Sequence, residues 1–112
     1  MYITVNIEEG MPLADAAVKR AANAIQKAKR ERVVAVKFIH GYGSTGSGGR
    51  IRIELRKYLS RQLTQGAISL FVPGEKLSIF DADTRTLLEA CPQVRRDSDL
   101  ERHNNGVTVV LL

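Results

Sequence analysis

Hydrophobic and polar positions change period several times along this chain, and each change marks an element. Tyr2-Ile-Thr-Val-Asn-Ile7 alternates with a period of two and predicts a strand. Gly10 and Pro12 end it, and Pro12 suits the first turn of a helix. Leu13, Ala17, Val18, Ala21, Ala22, Ile25 and Ala28 then recur at helical spacing and predict an Ala-rich helix to Arg30. Val33 to Ile39 is apolar except for Lys37, the pattern of a strand buried on both faces. A strand–helix–strand connection of this length implies a parallel pair with a right-handed crossover. Ile51, Leu55, Tyr58, Leu59 and Leu63 form the stripe of a second helix, stopped at Gly66. Shorter elements follow: a strand over 67–72, a turn at Pro73-Gly74 and an extended piece over 77–80. A helix capped by Asp81 or Asp83 then runs to Ala90, where Pro92 ends it. Asn104-Asn105-Gly106 is a turn signal, and Val107 to Leu112 is a closing β-branched strand.

Between the second strand and the second helix lies His40-Gly-Tyr-Gly-Ser-Thr-Gly-Ser-Gly-Gly-Arg50, which holds five of the nine glycines. A glycine-rich loop leading into a helix N-terminus suits an anion, because its amides lack partners and the helix dipole favours negative charge. Gly41-x-Gly43-x-x-Gly46 matches the dinucleotide fingerprint formally. That fingerprint requires an acid about 20 residues on, and residues 60–72 contain none. No Gly-Lys-Ser/Thr follows these glycines, so a Walker-type loop is excluded.

Charge sharpens the reading. The 112 residues carry a net charge of +5, unevenly placed. Residues 1–18 hold three acids and no bases, whereas residues 19–37 hold seven bases and one acid. Residues 50–61 hold five bases (Arg50, Arg52, Arg56, Lys57, Arg61) and one acid. The positive charge therefore flanks the glycine loop, as a polyanionic partner would require. No apolar run approaches a membrane span and no secretory leader opens the chain, so a cytoplasmic protein with no membrane partner is expected. Cys91 is alone, which excludes an internal disulfide and a Cys-rich zinc site. His40 and His103 belong to no ligand-spaced cluster, so no metal site is expected. Asp81-Ala82-Asp83 and Asp97-Ser98-Asp99 read as helix caps or Asx-turns, with a divalent cation as the alternative. Glu8 and Glu9 end the first strand on the edge where a parallel sheet would also place His40. Either could act with that histidine as an acid–base pair.

Ile39-His40-Gly41-Tyr42-Gly43, followed by Arg50-Ile-Arg-Ile-Glu-Leu-Arg-Lys-Tyr-Leu59, resembles the central motif of small MutS-related (Smr) domains. Cys91-Pro-Gln-Val94 and Asn105-Gly-Val-Thr-Val-Val-Leu111 resemble the family's closing segments. The resemblance implies a two-layer α/β sandwich with a βαβαββ core, similar to the C-terminal domain of translation initiation factor three. It implies DNA or RNA as partner, no cofactor, and nicking or ribonuclease activity in some members, with a divalent cation possible if the chain is a nuclease. By motif, His40, Gly41 and Gly43 take the family's nucleic-acid-contacting loop. Tyr42, Ser44, Arg50, Arg52 and Arg56 are the further candidate contacts; Glu8, Glu9 and His40 are the candidate catalytic groups. Two departures stand out. Asn6 and Glu8 fall where the family commonly has Asp and His, which weighs against cleavage while leaving binding intact. Residues 60–90, approximately, read as an insertion in a single domain spanning 1–112. Besides nucleic-acid binding, the sequence leaves open an endonuclease and a small-nucleotide or protein-interaction module.

Overall fold

A computed structural model describes residues 1–41 and 47–112. Four strands, β1 (Tyr2–Asn6), β2 (Ala35–Ile39), β3 (Leu70–Pro73) and β4 (Val107–Leu111), form one sheet in the order β1-β2-β4-β3. β1 and β2 are parallel, with Asn6 opposite Ile39, and β4 runs antiparallel to both β2 and β3. Helices α1 (Ala14–Arg30) and α2 (Ser47–Thr64) cover one face. This is the expected two-layer βαβαββ core.

The core divides by strand alternation. Val36 and Phe38 of β2 and Val110 of β4 point toward α1 and α2, where they meet Ala17, Ala21, Ile25, Ile51, Leu55 and Leu59. Alanines on α1's inner stripe let that helix lie close to the sheet. The opposite face of the sheet is not left to solvent. Helix α3 (Ala82–Ala90), flanked by short 3₁₀ turns at Gly74–Lys76 and Pro92–Arg96, covers it with Leu77, Leu87, Leu88 and Val94 against Ala35, Val72 and Val109. Of residues 60–90, those up to 64 finish α2 and 70–73 form the edge strand β3. The segment between β3 and β4, residues 74–106, builds a partial third layer.

Helix ends follow local chemistry. Gly66 closes α2 with φ +74°: its amide bonds Leu63 and the Ala67 amide bonds Gln62, a Schellman motif. Arg32 closes α1 the same way at φ +58°, with Arg32 bonded to Lys29 and Val33 to Ala28. Asp81 caps α3 by accepting from the Thr84 amide at 2.9 Å. Residues 77–80 are not extended. They form a turn that leads into that cap, with the Asp81 amide bonded to Ser78. Helix α1 begins at Ala14, after Leu13 rather than with Pro12 in its first turn, and Leu13 is 77% exposed instead of joining the core. Leu63, expected on α2's apolar stripe, is also largely exposed.

Lys37 explains the polar interruption in β2. It lies on the α3 face, nearly buried, with its ammonium 2.8 Å from Asp97 and bonded also to Asp99. Tyr2 donates to the other Asp97 oxygen at 2.6 Å, and the Asp99 amide bonds Asp97 in an Asx-turn. Burial pushes Lys37 down, but its bonds to Asp97 and Asp99 outweigh this and hold it above its usual value. The Asp97-Ser98-Asp99 pair thus grips a cation supplied by the chain itself.

Candidate functional site

Because β1 and β2 are parallel and in register, their chains leave the sheet side by side. Ile7 still bonds Ile39 at 3.0 Å, and the next residues are Glu8 on one strand and His40-Gly41 on the other. On the far side, β4 holds the β2 exit: the Gly106 carbonyl accepts from both the His40 and Gly41 amides, at 2.9 and 3.0 Å. Gly41 has φ +72°, and a Cβ there would lie 2.3 Å from Glu8 Oε2. The Glu8 carboxylate therefore lies against the Gly41 backbone, and the positive φ there favours glycine, while the carboxylate at the end of its flexible side chain could swing away from a Cβ. Asn6, where the family commonly has Asp, accepts from the Glu8 amide at 2.9 Å and shapes this turn. Glu9 is exposed, and its carbonyl accepts from Arg20.

His40 is fully buried. Its Nδ1 lies 2.8 Å from the Gly41 carbonyl, which can only accept, so Nδ1 carries the proton. Nε2 then accepts from the Thr108 hydroxyl at 2.8 Å. That hydroxyl in turn accepts from Arg56 Nε at 3.2 Å. An obligate donor at one end and an obligate acceptor at the other fix the direction of the whole chain. Burial pushes His40 down to about 4; the Gly41 bond opposes this, and the charges of Arg56 and Arg52 add to it. His40 is therefore neutral at physiological pH, with both ring nitrogens engaged inside the protein.

Arg56 anchors this network. Its two terminal nitrogens each bond one Glu75 oxygen at 2.8 Å, a bidentate pair, and Nη2 reaches the Val107 carbonyl at 3.3 Å. Burial pushes the Glu75 carboxyl up, but Arg56 outweighs this and holds it below the usual carboxylate range. Arg56 was expected on the phosphate-facing surface with Arg50 and Arg52. Instead it is committed inward, joining α2 to β4 and to the turn after β3. Arg50 is exposed and Arg52 half-buried, close enough for its charge to act on both His40 and Glu75. Tyr42, Gly43 and Ser44 lie outside the described residues. Among the described residues, no group of three His, Cys, Asp or Glu side chains could hold a metal ion. No helix among them is long and apolar enough to cross a membrane.

Thr108 and Glu75 were not singled out from the sequence. Thr108 carried a signal, as a hydroxyl in an otherwise apolar strand that is buried throughout needs a partner. Glu75 carried none, because its partner is 19 residues away on another element.

No family model matches the chain, and no curated protein does. Among solved structures it is similar to the Smr domain of Thermus thermophilus MutS2, with 19% identity, 99% of this chain and 95% of that one covered, and a TM-score of 0.57. The chain has the Smr-domain fold.

Proposed function

We propose that this Smr-like domain binds nucleic acid at the edge of the sheet where β1 and β2 end. The observation that carries the reading is the placement of charge. α2 starts inside the glycine-rich segment, at Ser47 rather than after Arg50, has no acid in its first turn, and presents Arg50 and Arg52 within its first two turns. Amides of residues 41–49 and the positive end of α2 would hold one phosphate, and these two arginines would follow its neighbours. The Smr resemblance supports the same class of partner, DNA or RNA. We assign His40 a positioning role: with Thr108 and Arg56 it fixes where the loop leaves the sheet.

The test is a salt-titrated binding assay with DNA and RNA oligonucleotides. Each phosphate contact contributes about 0.7–0.9 to the slope of log K against log salt, so Arg50→Ala/Arg52→Ala should flatten the slope by roughly 1.5. An unchanged slope would remove these arginines from the interface. An endonuclease reading rests on Glu8, whose carboxylate lies against Gly41. With His40 engaged on both nitrogens, Glu8 is the acid–base candidate set against the loop, while the exposed Glu9 lies one residue further from it. Plasmid nicking or RNA cleavage that is lost in Glu8→Gln would support that reading; equal cleavage by both proteins would exclude it.

A further inference from the structure

A groove of about 650 Å³ lies between the start of α1 and the outer flank of α2. Leu13, Ala14 and Val18 supply its apolar side, and Arg50, Arg61 and Glu54 of α2 face them. We propose that this groove seats an unpaired nucleotide of the bound strand. The inference rests on the nucleic-acid reading above and names its substrate class: strands that offer bases outside a duplex.

Three observations converge on that chemistry. The first is size, since the volume falls in the range of sites that enclose a small organic ligand. The second is an apolar surface the core does not use. Leu13 continues the inner stripe of α1 beyond the sheet and is 77% exposed, and Met11 beside it is 73% exposed. Met11 is held at φ +53°, an uncommon conformation for a non-glycine side chain. The turn that joins β1 to α1 therefore presents apolar side chains at the edge where the loop and α2 begin. The third is the pattern of charge. Arg50 and Arg61 are eleven residues apart on α2, or roughly 16 Å along its axis, so they suit phosphates of the nucleotides before and after the seated one. Glu54 and Asp15, at the groove wall, can accept from an exocyclic amino group of cytosine or adenine. A ligand with an apolar face, amino donors and flanking anions is a nucleotide within a strand. Bases stacked inside a duplex cannot enter a concave site, so the nucleotide must be unpaired.

The experiment measures fluorescence anisotropy on three probes of equal length: a cytidine-containing single strand, an intact duplex, and a duplex interrupted by a short gap of unpaired cytidines. Leu13→Glu places a charge in the groove at an exposed position, and circular dichroism checks that it stays folded. The gapped and single-stranded probes should bind about tenfold tighter than the duplex, as one seated base would provide. Leu13→Glu should abolish that preference, weakening the gapped and single-stranded probes about tenfold more than the duplex. Equal binding of all three probes, unaffected by Leu13→Glu but still salt-dependent, would overturn this inference and leave the nucleic-acid reading standing. No binding to any probe would remove both. Saturable, salt-insensitive binding of cytidine monophosphate, tighter than any polymer, would overturn it in favour of a small-nucleotide site.

Discussion

Acidification should destabilise this protein through His40 before its carboxylates titrate. In the unfolded chain the imidazole takes up a proton near pH 6.5; in the folded chain burial holds this back to about 4. Below 6.5 the unfolded state therefore binds more protons than the folded one. The neutral histidine's contribution is complete above that pH and is lost as pH falls toward 4. The full shift corresponds to about 3 kcal/mol, and the part expressed by pH 5 is about 2 kcal/mol. Glu75 and Asp97, both held below their usual values, add losses in the same direction only at lower pH. The window from pH 7.5 to 5 thus isolates the histidine.

Urea unfolding across that window should show wild type losing about 2 kcal/mol, with the urea dependence of stability unchanged. His40→Gln should begin less stable, since the Arg56–Thr108–His40 chain is broken, and should lose less than about 0.5 kcal/mol over the same range. A wild-type His40 resonance that titrates near 6.5, or an identical pH slope in His40→Gln, would refute the buried, neutral assignment.

Gly41→Ala should cost about 1–3 kcal/mol through the strain of φ +72°, and pairing it with Glu8→Ala should recover little of this, because the carboxylate can swing aside; a large coupling in a double-mutant cycle in urea would refute that. Arg32→Gly should raise stability by about 1 kcal/mol in thermal unfolding, because Arg32 ends α1 in the left-handed region; an unchanged or lower melting temperature would mean its side chain compensates. Lys37→Met leaves Asp97 and Asp99 without their cation and should cost about 3–5 kcal/mol by urea unfolding at pH 7.5, with a cost below about 1 kcal/mol counting against the buried network.

What could be read from the sequence depended on the range of the physics involved. Helix and strand periods, the Asp81 cap and the Gly66 stop are local, and their residues specify them. The buried central strand was equally legible, because Val33 to Ile39 has too few polar groups to face water. Its one exception, Lys37, demanded an anionic partner, but nothing local says the partner is 60 residues away in Asp97. Arg56 shows the limit most clearly. At i+4 from Arg52 it reads as a second surface cation, and only the turn after β3 reveals that Glu75 claims its guanidinium. A basic helix in a sequence therefore overstates the cations available to a ligand whenever a segment elsewhere brings carboxylates to the same sheet edge. Here the residues between β3 and β4 claim two cations, Arg56 of α2 with Glu75 and, on the opposite face of the sheet, Lys37 of β2 with Asp97 and Asp99. That segment thus sets which charges of the domain remain at the surface: Arg50 stays exposed, while Arg56 and Lys37 hold the layers together.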